Sequence, residues 1–207
     1  MNTPDLPTLR SAFTPALLTL LLALLLAACS PDRHAAPSAE TRSDAIAQAE
    51  AAAGQLMSTL VSALSQAMKE GGPTQAVEVC SSIAQQKTEE IGASFGLSIR
   101  RVALRARNDL DRPNTREEEI LEKWSHTEGP IESLSEVITN EQGNAVLHYM
   151  RPILLGDNCV ACHGPEEQIQ PDVLAAIRAH YPNDRATGFQ PGDLRGAISV
   201  EVPLDQP

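Results

Sequence analysis

Two cysteines and a histidine stand together in the pattern Cys159-Val-Ala-Cys162-His163. This spacing suits covalent attachment of a c-type haem, because each thiol can add to one vinyl group and the histidine can bind the iron. The pattern therefore predicts Cys159 and Cys162 as anchors and His163 as the proximal ligand. Two other sites would use the same residues: a Cys159–Cys162 disulfide, or a zinc site with Cys80 as a third thiolate.

An apolar run near the N-terminus predicts export. Residues 16–28 are too few to span a bilayer comfortably and match the core of a signal peptide. The run ends in Leu26-Ala27-Ala28-Cys29, which resembles a bacterial lipobox. We therefore expect residues 1–28 to be a lipoprotein signal and Cys29 to be lipidated, the alternative being an ordinary signal with a chance cysteine.

Export fits the haem motif, because haem c is attached outside the cytoplasmic membrane in bacteria. The sequence thus predicts a protein anchored to the membrane through Cys29 and facing the periplasm. Ser30 after the cysteine favours the outer membrane over the inner one.

The chain is strongly acidic, with 16 Lys and Arg against 27 Asp and Glu and a net charge of −11. Removal of residues 1–28 takes away Asp5 and Arg10 and leaves that charge unchanged. Such a field does not attract nucleic acid, whereas a basic redox partner would be compatible with it. With Cys29 lipidated and two thiols on the haem, Cys80 is left without a role.

The rest of the chain predicts one domain after a short linker. Residues 29–42 have the composition of a flexible tether, and residues 43–207 form the single haem domain. Apolar residues at helical spacing predict a helix over Ser43–Glu70, ended by Gly71-Gly72-Pro73, and a second over Thr74–Ile91. Cys80 lies on the apolar stripe of the second helix.

Strands are predicted mainly in the C-terminal half, which makes an α+β fold. Leu97–Arg107 is expected to be a strand on which four arginines share a face, and Thr115 with Glu118 resembles a capping box. The remaining expected elements are a hairpin of 133–139 and 145–155, a helix over Pro171–Tyr181, and a strand over Arg195–Val202.

Four stretches together resemble a family of single-haem c-type domains with a PAS-like fold, known from bacterial lipoproteins and sensors. They are Ala76–Cys80, Arg107–Asn114, Met150–Gly164, and Tyr181–Gly188 with Gly192–Ser199. This chain departs from the family in having Asp109 where a proline usually follows Arg-Asn. The resemblance implies an antiparallel sheet with N-terminal helices packed on it, one covalent haem c, and iron bound by His163 and Cys80.

Other side chains are weaker candidates. His148 is the best reserve ligand, but it, His126, His180 and His34 are more typical of surface or capping histidines. Met150 and Met68 are possible thioether ligands that more often fill a core. Arg100, Arg101, Arg105 and Arg107 are candidates for haem propionates, with Arg105 and Arg107 preferred.

These features predict a single-haem, cytochrome-like protein that acts in electron transfer or redox binding. The alternative is a haem-based redox or gas sensor that signals through a separate partner. Catalysis ranks last, because the sequence shows no His/Arg pair that could serve as acid or base beside the haem.

Overall fold

The computed structural model describes residues 37–140 and 142–204. The signal sequence, Cys29 and His34 lie outside these residues, so the predictions made for them stay predictions. No helix in the described part of the chain is long and apolar enough to cross a membrane.

One long helix, α1, runs from Ala39 to Phe95 and breaks at Gly72, whose φ of 73° lies in the left-handed region. Pro73 follows the break, so the two helices predicted on either side of Gly71-Gly72-Pro73 are the two limbs of α1. The first limb begins four residues earlier than predicted, because the Ser38 side chain accepts a hydrogen bond from Thr41 N and caps it. Residues 39–42 of the predicted tether are therefore helical.

The helix also continues past Ile91, its predicted end, and through Gly92. A Cβ at Gly92 would lie 2.8 Å from Ile99 Cγ2, so this glycine serves a close approach between α1 and the first strand. Helix α1 ends instead at Gly96, which has a φ of 68°.

The sheet has four antiparallel strands in the order β1-β4-β3-β2. Their bounds are Ser98–Val102 for β1, Leu134–Thr139 for β2, Ala145–Leu154 for β3 and Leu194–Pro203 for β4. Three further helices, α2 (Thr115–Ser125), α3 (Val160–His163) and α4 (Pro171–His180), lie between them. This confirms the predicted α+β fold.

Helices cover both faces of the sheet. Helix α1 packs on one face, where Leu56 of the first limb and Ile91 of the second meet Leu147, Ile198 and Val200. Helix α2 packs on the other, with Leu121 and Trp124 against Val102, Met150 and Ala197. The second limb of α1 packs on α4 through Val77, Val173 and Ile177. These contacts hold the Cys80 limb near the haem motif.

Two local predictions were wrong in detail. Strand β1 ends at Val102, because Ala103 N donates to the carbonyl of Asp111 and the chain leaves the sheet there. Arg105 and Arg107 therefore lie outside β1, and the adjacent Arg100 and Arg101 point to opposite faces of it, so the four arginines do not share a strand face. The cap of α2 is Asn114 with Glu117 in a capping box, one residue earlier than predicted.

Candidate haem site

The Cys159–His163 motif follows β3 without a long loop. Leu155 anchors the exit from the strand, donating to Asp193 O at 2.9 Å and accepting from Gly192 N at 2.8 Å. Cys159 closes a short 3₁₀ turn and His163 ends α3. A Cβ at Gly164 would lie 2.7 Å from Val160 O, so only glycine allows the chain to close this turn.

The two motif thiols pack against different apolar clusters. Cys159 contacts the cluster of Leu155, Ala186 and Phe189, whereas Cys162 contacts the cluster of Val77 and Ile177. Both are partly exposed free thiols, as is Cys80. A helical turn places residues three apart on one face, which is where two vinyl groups of one macrocycle would need them.

His163 is held in a single orientation. Its Nδ1–H donates to Ala186 O at 2.7 Å, which leaves Nε2 as the ligand atom. Burial and the nearby Arg107 and Arg195 guanidinium groups hold the pKa of His163 well below its usual value. The imidazole is therefore neutral at neutral pH, as a metal ligand must be.

Arg107 ties the motif to the loop behind it. Its guanidinium donates to Cys162 O at 2.6 Å, to Ala186 O at 3.2 Å, and to Asp184 at 3.1 Å. The Arg107 side chain is 11% exposed. Arg107, held by Asp184, thus links Cys162 O to Ala186 O, the carbonyl that orients His163. These bonds fix the position of the haem-attachment segment.

Cys80 lies on the second limb of α1, in the same buried polar neighbourhood. Burial raises its thiol pKa against the opposing effect of Arg101 and Arg107. Burial also raises the pKa of Cys162, to which the charge of Cys80 contributes. Val77, one turn before Cys80, packs in the same apolar cluster as Cys162, so the second limb of α1 lies against the motif although Cys80 is 79 positions before Cys159 in sequence.

The donors present fit a haem. They are two partly exposed thiols on one helical turn, an imidazole with a fixed Nε2, and a third thiol from a facing helix. Of the alternatives, the described residues contain no disulfide, since all their cysteines are free, and no group of three or more His, Cys, Asp or Glu side chains arranged to hold a metal ion.

His126, His148 and His180 have other hydrogen-bond partners. His126 Nδ1 donates to Glu122 O at 2.8 Å, which is a capping contact at the end of α2, and His180 Nδ1 lies 3.3 Å from Ser81 Oγ. His148 is not a surface residue as expected. It is 2% exposed, with Nε2 at 3.1 Å from Ser199 Oγ and Nδ1 at 3.4 Å from Glu136.

Met150 and the β1 arginines also have other surroundings. Met150 is fully buried in the core between α2 and the sheet. Arg100 contacts Glu117, and Arg101 pairs with Asp111 at 3.2 Å. Arg105 is exposed and lies over the Phe189 ring, at 4.1 Å from its centroid. Contacts of Arg105 and Arg107 with haem propionates stay predictions.

Sequence reasoning did not single out Asp184 or Arg195. Asp184 is the carboxylate partner of Arg107, and Arg195 is a buried guanidinium whose Nε has no hydrogen-bond partner among the described residues. Both lie in the stretches that carry the resemblance, but only tertiary contacts reveal what they touch.

Comparison with known proteins identifies the family of this chain. The sequence pattern of the Tll0287-like family matches residues 33–203. The chain belongs to the Tll0287-like family. The crystal structure of the cyanobacterial haem protein Tll0287 is similar, with a TM-score of 0.58 and 27% identity, over 82% of this chain and 99% of that one. No curated protein sequence matches the chain.

Membership confirms the resemblance to a haem-binding domain family and supports haem binding with a cytochrome-like or sensor role. A four-stranded antiparallel sheet with a long N-terminal helix packed on it is compatible with the PAS-like fold that the resemblance implies.

Proposed function

We propose that this chain carries one haem c, attached through Cys159 and Cys162, and acts in electron transfer or redox binding. His163 and Cys80 are the side chains that would hold its iron. When bound, the haem supplies a one-electron iron couple, and a thiolate ligand donates electron density that favours its ferric state.

The observation that carries this proposal is the fixed imidazole of His163. Ala186 O takes its Nδ1–H, so Nε2 can face a metal without a change of tautomer. Arg107 holds Ala186 O and Cys162 O together, which keeps this geometry stiff. A stiff site suits electron transfer, because little protein rearrangement then accompanies a change of charge.

Cys80 on a separate limb supports ligation by two residues of the chain. The limb is packed on α4, and Val77, one turn before Cys80, is buried there. Two chain ligands would leave no open iron position, which is why catalysis is not proposed.

The sensor alternative rests on the break in α1. Cys80 lies beyond Gly72, where the helix bends through a left-handed residue. If reduction or a gas displaced the thiolate, the second limb could shift about this break and present a changed surface to a signalling partner.

We further propose that the protein is a lipoprotein anchored through Cys29, facing the periplasm, with the outer membrane favoured by Ser30. The apolar run before Cys29 and the need for haem c attachment outside the cytoplasmic membrane support this location. A redox or signalling protein is the proposed partner.

Absorption spectra of the haem-loaded protein separate the two roles. They are recorded for the ferric form, the ferrous form, and the ferrous form with CO or NO. An electron carrier keeps six-coordination throughout and binds neither gas. Rapid gas binding at low concentration would contradict electron transfer and favour the sensor.

A further inference from the structure

A cavity of about 220 Å³ lies beside the motif, on the α2 side of the sheet. Its lining is Leu104, Arg105, Leu121, Ser125, Phe189, Asp193, Leu194, Arg195 and Gly196. Phe189 joins it to the site, since this ring stands edge-on to His163 with the centroids 6.4 Å apart.

Arg195 is the most unusual residue of this wall. Its Nη1 donates only a long hydrogen bond, 3.4 Å, to Arg105 O, and its buried Nε has no partner among the described residues. A buried donor without an acceptor is costly, most of all on a charged group. The Arg195 guanidinium therefore lacks a hydrogen-bond acceptor for its Nε–H among the described residues.

Arg105 brings a second guanidinium to the same place. Its Nε donates to Arg185 O at 3.2 Å, and its Cζ lies 4.1 Å from the centroid of the Phe189 ring. The Cζ of Arg195 lies 5.7 Å from the same centroid. One aromatic ring thus positions both cations beside the cavity.

The charged groups around the cavity have a net charge of +1. The groups near Arg195 or in the lining are Arg101, Arg105, Arg107 and Arg195 against Asp111, Asp184 and Asp193. Burial, with Arg107 and Arg101 adding to it, lowers the pKa of Arg195 to about 10, although Asp111 and Asp184 oppose this. A single negative charge would complete the balance.

We propose that Arg195 and Arg105 bind the carboxylate of a short aliphatic chain in this cavity. A guanidinium fork suits a carboxylate, and Leu104, Leu121 and Leu194 offer apolar contact to the attached chain. Asp193 disfavours a second negative charge, so the ligand is a monoanion. The carboxylate belongs either to a propionate arm of the haem or to a free short-chain acid. The first source rests on the function proposed above; the second does not.

The test uses the haem-loaded protein and the variants Arg195→Gln and Arg105→Gln. Arg42→Gln is the matched control, since Arg42 is exposed and donates to Ser135 O in β2, at the edge of the sheet opposite β1. Sodium propionate is titrated by calorimetry, and the reduction potential is measured against pH. Haem content and circular dichroism check folding, and Arg195→Lys replaces Arg195→Gln if the latter does not fold.

A free acid as ligand predicts saturable propionate binding to the wild type and the control, weakened about tenfold or more in the two site variants. A haem arm predicts no propionate binding to the wild type, but a changed pH dependence of the potential in the site variants alone. If the site variants match Arg42→Gln in both measurements, the proposal is wrong. If no preparation keeps covalent haem, the proposed function is contradicted instead. The propionate titration then still tests whether a free acid binds to Arg195 and Arg105.

Discussion

Of the proposed site residues, Cys80 has the weakest support from the sequence around it. Nothing around it distinguishes a ligand from a small buried hydrophobe, and the resemblance alone named it. The structure adds that Val77, one turn before it, packs in the same apolar cluster as Cys162, and that Arg101 and Arg107 lower the pKa of its thiol against the effect of burial. These guanidinium groups favour the thiolate, which is the form that binds iron, whereas burial, the larger effect on this pKa, favours the neutral thiol.

Cys80→Ala tests its role as the distal ligand. Without the thiolate, the ferric spectrum should lose its thiolate features and the ferrous form should bind CO. The reduction potential should rise by more than about 59 mV, which is a tenfold change for a one-electron couple. Ser82→Ala is the control, because its hydroxyl only bonds Val79 O of the same helix. Unchanged absorption and electron paramagnetic resonance in Cys80→Ala would move the distal ligand elsewhere.

His148 shows how a polar group can be structural rather than functional. It bridges Ser199 and Glu136, and Glu136 accepts from Arg116 Nε at 2.8 Å. The hydrogen bond from Arg116 is the largest cause that lowers the pKa of Glu136, with His148 adding to it. Because the folded pKa is depressed, this stabilisation is full above the ordinary value of 4.5 and is lost as the pH falls through the folded value.

Glu136→Gln should therefore destabilise the protein at pH 7, by about 1 kcal/mol. The difference from wild type should shrink below pH 4.5, since a protonated Glu136 resembles glutamine. Urea unfolding at both pH values measures this, with the exposed Glu132→Gln as control. A difference that is constant with pH would show that the Glu136 charge contributes nothing.

At the scale of elements, periodicity predicted the helices and the hairpin well. Gly71-Gly72-Pro73 gave the break in α1 because backbone chemistry alone decides it. The end of α1 was predicted too early, at Ile91, because Gly92 serves a close contact with Ile99 that only tertiary packing reveals. Strand β1 was predicted too long, since alternation in sequence does not show that Asp111 takes the Ala103 N–H.

The same limit applies to the site. Motif spacing gave Cys159, Cys162 and His163, whereas Ala186, Asp184 and Arg195 contact the site through backbone carbonyls and long-range pairs. Sequence carries no signal for which carbonyl will accept the His163 Nδ1–H. Such partners are set by how the loop of residues 182–193 packs behind α3.

Two glycines test the packing of the elements. A Cβ at Gly196 in β4 would lie 2.4 Å from Val102 O, so Gly196→Ala should destabilise the fold by about 1–3 kcal/mol. Gly54 in α1 meets only Arg151 Nη1 at 3.6 Å, so Gly54→Ala should stabilise it by about 0.5–1 kcal/mol. Thermal unfolding of the haem-loaded variants measures both. Equal shifts of the same sign would contradict the packing described for β1 and β4.

For the whole molecule, the acidic charge and the N-terminal segment predict where the protein works. Cys29→Ser should release the protein from membranes or stall its processing, because several acyl chains anchor firmly and none would remain. Fractionation of cells expressing wild type and variant is the measurement, with Ser30→Ala as control. A wild type recovered wholly in the soluble periplasmic fraction would refute lipid anchoring.

Covalent attachment of haem is the claim on which the whole account depends. The direct measurement is acid–acetone extraction of protein made with the c-type maturation system, followed by spectroscopy of the precipitated chain. The account predicts that the haem stays with the wild type, and that Cys159→Ala with Cys162→Ala releases it. Loss of all haem from the wild type, or tightly bound zinc in its place, would contradict the account.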